Sequence, residues 1–289
     1  MGRLKEEMTR FAYQAGGSFK TVSDRITIAK RLSDNLYRLN IQIHHVKHLK
    51  AKHIVKYIQD RITQGIGKRT LQNEMAAIRA ILQRAGRDKL TQSPTITNQA
   101  LGLSQASRDG THRAITDEHY QQVLAQAEKV NQGFACALEL SYQMGLRSQE
   151  AVQCHQSLNT WLKALDRGDT RLPVTFGTKG SRPRETQVLN TEQLRQTILK
   201  AQAIAQDQRG KLIDKPDLKS AMAYWCRTAT KVGLQGAYAP HSLRYAWAQR
   251  ALQHYQDRGF SHKESLALVS MDLGHGDGRG RYVERVYEL

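Results

Sequence analysis

The chain has 289 residues, 44 of them Lys or Arg against 26 Asp or Glu, with a formal net charge of +18 and a pI near 10.0. That length holds one large or two modest cores, and 39% apolar residues is too many for a disordered chain. No window approaches the ~18 apolar residues of a membrane span, the N-terminus lacks the apolar stretch of a signal peptide, and three scattered cysteines (Cys136, Cys154, Cys226) argue against a disulfide framework or zinc ribbon and for a reducing compartment.

The positive charge calls for a polyanion, and it is unevenly spread. Residues 1–113 carry 21 Lys+Arg and 8 Asp+Glu, whereas the remaining 176 carry 23 and 18. Apolar residues at helical spacing predict three helices in the first part. They run from Ile26 to Leu39, from His53 to Ile62 before Gly65, and from Thr70 to Leu82 before Gly86. Between the apolar positions lie Arg25, Lys30, Arg31, Lys52, Lys56, Arg61, Lys68, Arg69 and Arg79, which read either as solvated faces or as a grip on DNA phosphates. His44, His45, His48 and His53 bring no carboxylate or thiol with them, so they are read as solvated or DNA-proximal and no metal is expected. Residues 86–113, rich in Gly, Ser, Thr, Asn and Gln, read as a linker.

Domains are therefore expected at 1–85 and 114–289. In the second, Thr116-Asp117-Glu118 opens a helix and the run from Phe134 to Met144 makes a buried one that Gly145 ends. Val174–Phe176 and Thr186–Val188 predict a β-hairpin around residues 177–181, and helices are expected near 191–206, 217–232, 241–256 and 262–273. The fold class is mainly α with one small hairpin.

Four clusters hold residues suited to phosphate chemistry. Arg147 stands at a helix entry with Glu150 three residues on, so the acid can hold a guanidinium whose planar fork suits a phosphate, although a plain intrahelical pair has the same spacing. Lys179 sits in a Gly-rich turn, either merely solvated or placed to donate a proton. His241 and Arg244, at i and i+3 after Pro240, share one helix face. His275 stands between a helix and a turn containing Gly276, Gly278 and Gly280, followed by Tyr282 and Tyr287.

In this order the stretches "MGLRSQE", "FGTKGSRPRETQV", "PHSLRYAWA" and "LGHGDGRG", with a late tyrosine, resemble the tyrosine recombinase (phage-integrase) family of mobile-element type. The separations are also family-like: 32 residues from Arg147 to Lys179, 62 more to His241, and 31 from Arg244 to His275. The resemblance spans nearly the whole chain. It implies a helical core-binding domain and a catalytic domain that together form a C-shaped clamp on DNA. Arg147 and Arg244 would hold the scissile phosphate, Lys179 would protonate the leaving 5′ oxygen, and His241 would assist deprotonation of the nucleophile. His275 would donate to the phosphate and Glu150 would orient the site. The tyrosine would form a 3′-phosphotyrosyl intermediate, without metal or other cofactor.

Family spacing does not decide the nucleophile. Its usual place, nine residues past His275, is Glu284; Tyr282 needs a shortened connection and Tyr287 a lengthened one. Tyr287 is favoured because the intervening glycines suit the longer path, with Tyr282 as the alternative. Glu288 and Leu289 then leave little chain for docking a neighbouring protomer. The implied partners are double-stranded recombination sites, a homotetramer assembled on DNA from a monomer or weak oligomer, and a directionality factor, with no membrane, in a cytoplasmic, nucleoid-associated setting. Alternatives are a type IB topoisomerase-like activity, which shares the phosphotyrosine chemistry, and a non-catalytic DNA-binding protein that keeps the fold.

Overall fold

A computed structural model of the chain describes residues 2–107 and 109–287. Glu288 and Leu289, on which the expectation of a short docking tail rests, lie outside them. The chain divides into two compact units, Met1–Arg108 and Asp109–Leu289.

The first unit is helical. Helices α1 (Arg3–Gln14) and α2 (Phe19–Arg38), and likewise α3 (Ala51–Thr63) and α4 (Lys68–Arg84), are joined by short turns, while residues 39–50, with a turn of 3₁₀ helix at Val46–His48, link α2 to α3. Leu4, Met8 and Ala12, spaced i and i+4, are the buried stripe of α1, a helix beyond the three expected from the apolar spacing. They meet Leu32 and Leu36 of α2, Ile54 and Tyr57 of α3, and Met75 and Ile78 of α4 in one core. Residues 86–113 are not simply a linker. They include α5 (Asp88–Thr91) and a turn of 3₁₀ helix at Pro94–Ile96. Leu90, Ile96, Leu101 and Leu103 are buried in the first unit's core, and Gln72 Nε2 and Arg79 bond the carbonyls of Leu103 and Ile96. Four apolar residues spread among polar ones lack periodicity, which is why the composition resembles that of a linker.

In the second unit, α6 (Asp117–Val130), α7 (Gln132–Met144), α8 (Ser148–Gln153), α9 (Leu158–Asp166), α10 (Thr191–Asp207) and α11 (Leu218–Lys231) surround a core that includes Phe134, Leu138, Trp161 and Trp225. Thr116 caps α6, as its sequence suggests. A second cluster joins α12 (Ser242–Asp257), α13 (His262–Asp272) and α14 (Gly280–Tyr287) through Trp247, Tyr255, Val269, Leu273, Val283 and Tyr287.

The hairpin lies earlier than expected. Strands β1 (Arg171–Val174) and β2 (Arg184–Gln187) pair antiparallel, with Arg171 opposite Gln187 and Val174 opposite Arg184. Phe176, assigned to the strand on β propensity, is 41% exposed in the turn, while Leu172 and Val174 supply the inward face. The connection therefore covers residues 175–183 and carries Lys179 at its middle. Among the described residues no helix is long and apolar enough to cross a membrane.

Candidate active site

Gly145 ends α7 at φ +60°, and a Cβ there would lie 2.7 Å from Cδ2 of Trp247, so only glycine lets α7 close onto α12. The next residues lead directly into Arg147, the N-cap of α8. Arg147 donates from Nη1 to Glu150 Oε1 at 2.6 Å and from Nη2 to the Leu273 carbonyl at 2.8 Å. Arg244, in the first turn of α12, is fully buried and also donates to the Leu273 carbonyl, and to that of Gly145. Two guanidiniums thus converge on the carbonyl at the end of α13.

Tyr287 meets them from α14. Its hydroxyl lies 3.1 Å from Arg244 Nε and 3.0 Å from His275 Nε2. Because Arg244 can only donate, the hydroxyl accepts there; towards His275 Nε2 it donates or accepts according to the tautomer of the ring. Val283 and Tyr287, one turn apart, are the buried stripe of α14, so packing aims the hydroxyl inward. Tyr282 is off that stripe, 37% exposed, with its ring 5.3 Å from that of His275. His241 stands at the head of α12 with its ring 6.1 Å from that of Tyr287. Burial first, then Arg244, His112 and Arg147, push His241 down to about 3, and burial, Arg244 and Arg147 do the same for His275. Both rings are neutral at neutral pH, each with one nitrogen that can take a proton.

Lys179 is exposed on the hairpin turn and lines the same cleft, about 1070 Å³, as Arg147, His241, His275, Tyr282 and Tyr287. Gly177, two residues earlier at φ +74°, lies so close to α8 that a Cβ would sit 2.5 Å from the Gln149 carbonyl oxygen. The turn thereby abuts the element that carries Arg147.

Sequence reasoning misses Arg184. Buried in β2, it donates to Glu150 Oε2 at 2.7 Å, to the Gly145 carbonyl at 3.2 Å and to the Asp272 carbonyl. Burial pulls its guanidinium down to about 10 in spite of Glu150, which leaves it charged at neutral pH. Burial would raise the Glu150 carboxyl, yet the charge and hydrogen bond of Arg184, then Arg244 and Arg147, hold it at about 2. The one sequence signal is an arginine at an inward position of the strand, among Arg182, Pro183 and Glu185, where nothing distinguishes it from a solvated charge.

Comparison with known proteins identifies the family. The family model described as "Integrase" matches residues 102–250, more than half the chain, and that described as "Phage integrase, N-terminal" matches residues 1–91. The chain is a tyrosine recombinase of the integrase family. No curated protein sequence matches it. Its fold is similar to that of the Tn1549 transposon integrase in complex with a circular intermediate DNA (TM-score 0.63, 13% identity, 99% of this chain and 95% of that one). It is also similar to a lambda integrase tetramer bound to a Holliday junction (0.58, 17%, 95% and 76%) and to the XerH site-specific recombinase bound to palindromic difH (0.55, 18%, 90% and 75%).

The recombinase's first unit sorts the basic residues singled out by sequence. Arg25 donates to the Ala12 and Gly16 carbonyls and so closes the end of α1. Arg31, with Arg61 and Tyr57, satisfies the buried carboxylate of Glu74, and Arg79 bonds the Ile96 carbonyl and Asn98. Arg25, Arg31 and Arg79 therefore have internal partners. Lys30, Lys52, Lys56, Lys68 and Arg69 are exposed, with no ion pair among the described residues. His45 is not simply solvated: its Nδ1 lies 2.8 Å from Glu7 Oε1, a carboxylate too far off in sequence to be counted with it.

Proposed function

We propose that this recombinase cuts and rejoins DNA at specific sites through Tyr287. The observation that carries the reading is the Tyr287 hydroxyl held between Arg244 Nε and His275 Nε2. A phosphodiester in the cleft meets Arg147 directly and reaches Arg244 Nε by taking the place of the Tyr287 hydroxyl, so that charge that builds up on its non-bridging oxygens in the transition state meets two fixed cations. Tyr287 Oη forms the bond to phosphorus, and its proton passes to a neutral imidazole. His275, whose Nε2 lies 3.0 Å from the hydroxyl, and His241, neutral and at the same cleft, are the two imidazoles within the site that can take it. The P–O5′ bond breaks with its electron pair on O5′, which takes a proton from the Lys179 ammonium. A 3′-phosphotyrosyl bond remains, and attack by a 5′-hydroxyl of a partner strand reverses these steps.

The exposed cations of the first unit supply sequence-independent affinity for the DNA backbone. The lambda relative is a tetramer bound to a Holliday junction and the Tn1549 relative is in complex with circular intermediate DNA. We assign the same kind of partner here, recombination-site duplexes bound by several copies of the chain, with a directionality factor as a further participant. Arg244 and His275 around a tyrosine are more than a binding module needs, which favours the enzyme. The test is a duplex selected for binding from a random pool, nicked and incubated with the protein. A covalent protein–DNA band in denaturing gels supports cleavage. Relaxation of supercoiled plasmid lacking the selected site, at the same rate as plasmid bearing it, would instead make the activity topoisomerase-like.

A further inference from the structure

Both strands of the hairpin hold Asp272, the last residue of α13. From β1, Arg171 Nη2 donates to Asp272 Oδ1 at 2.5 Å; from β2, Arg184 donates to the Asp272 carbonyl. The second carboxylate oxygen accepts from the Tyr255 hydroxyl at 2.7 Å, and Arg171 Nη1 lies 3.2 Å from that hydroxyl. Asp272 is fully buried, so Arg171 and Tyr255 supply its hydrogen bonds in place of water.

The location matters more than the strength. Asp272 immediately precedes Leu273, whose carbonyl accepts from both Arg147 and Arg244, and stands three residues before His275. Arg171 is at the base of the hairpin that carries Lys179, eight residues along the chain. Strand residues advance about 3.3 Å each, so a few degrees of tilt at the base moves the turn by an ångström or more. We propose that Arg171, Asp272 and Tyr255 form a latch that registers the Lys179 hairpin against the phosphate-holding arginines, and so act as positioning residues for leaving-group protonation. This rests on the reading of Lys179 as the general acid.

The test isolates the proton. In a duplex whose scissile 5′ bridging oxygen is replaced by sulfur, Tyr287 Oη still forms the bond to phosphorus. The P–S bond then breaks to a thiolate, which is stable without a proton. Single-turnover cleavage at saturating protein is compared on the oxygen and sulfur duplexes for the wild type, Lys179→Ala, Arg171→Gln and Tyr255→Phe. Tyr255→Phe keeps the ring that packs in the core, and circular dichroism checks that each variant folds. The latch predicts that Arg171→Gln slows cleavage of the oxygen duplex by about 100-fold, the scale of an ångström misplacement. Tyr255→Phe slows it less, and sulfur restores both to near the wild-type rate. It also predicts that Arg171→Gln adds little once Lys179 is Ala. Equal losses on both duplexes, or no loss on oxygen, would overturn the latch. Failure of sulfur to rescue Lys179→Ala would overturn the reading of Lys179 itself, a separate outcome.

Discussion

Arg184 and Arg147 share one carboxylate, Glu150, whose Oε2 accepts from Arg184 at 2.7 Å while Oε1 accepts from Arg147 at 2.6 Å. A side chain in the hairpin and one at the head of α8 are thus fixed by the same buried acid. With Gly145 and Asp272 bonded by Arg184 as well, the hairpin, the α7–α8 corner and the end of α13 form one frame around the cleft.

Removing the shared acid should damage fold and function together. Glu150→Ala leaves the buried guanidinium of Arg184 and the partly exposed one of Arg147 short of a counter-charge, a change that costs about 3–5 kcal/mol. Glu150 ionises at about 2 when folded and near 4.5 when free. The unfolded chain therefore binds the extra proton between those values, and stability from this group is full above pH 4.5 and lost as pH falls towards 2. Urea unfolding of wild type and Glu150→Gln checks this: the variant should be less stable at pH 7, and its deficit should shrink below pH 4.5.

The two imidazoles give a second, separate acid response. His241 and His275 titrate at about 3 when folded, against 6.5 for the free ring, so the unfolded chain gains protons first as pH falls. Their stabilising contribution is complete above pH 6.5 and declines below it, with a limiting slope of about 1.4 kcal/mol per pH unit for each ring. Between pH 6.5 and 5 most carboxylates do not titrate, and unfolding free energies there should fall with pH. The fall should be shallower in His275→Gln, and a slope unaffected by that substitution would contradict the placement of the ring.

In the free protein the Tyr287 hydroxyl occupies Arg244 Nε. An incoming phosphate must compete for that donor. Tyr287→Phe should therefore bind the selected duplex more tightly than wild type, by about tenfold if the hydrogen bond released is worth ~1.4 kcal/mol. Filter binding on uncleaved duplex measures it; weaker binding would mean that the hydroxyl helps to seat the phosphate.

Salt dependence should separate the two kinds of basic residue in the first unit. Replacing Lys52, Lys56, Lys68 and Arg69 with Gln should leave stability nearly unchanged and reduce the slope of log K against log salt by about 0.9 for each phosphate that is no longer neutralised. Arg31→Gln should instead destabilise the unit through Glu74, which is 1% exposed. Equal effects of the two changes on unfolding would refute that division.

Much of this is legible in the sequence alone. Helical spacing locates most helices, because long amphipathic stripes such as that of α4 repeat often enough to be read. The order and spacing of Arg147, Lys179, His241, Arg244 and His275 point to one cleft, and the structure lines that cleft with all but Arg244, which lies buried directly beneath Tyr287. What escapes depends on partners distant in sequence. Arg184 meets Glu150 across 34 positions and Asp272 across 88, and no local pattern announces either. The linker-like composition of residues 86–113 conceals four core residues because their partners lie in α3 and α4. The tyrosine spacing is ambiguous, whereas the i,i+4 pair of Val283 and Tyr287 shows which ring α14 buries.

The most direct measurement is therefore the identity of the residue that becomes covalently attached to DNA. The nicked duplex is incubated with wild type, Tyr287→Phe and Tyr282→Phe, and the adduct is digested and sequenced by mass spectrometry. A Tyr287 nucleophile predicts an adduct on Tyr287 in wild type and Tyr282→Phe, and none in Tyr287→Phe. An adduct on Tyr282 that survives Tyr287→Phe would contradict it.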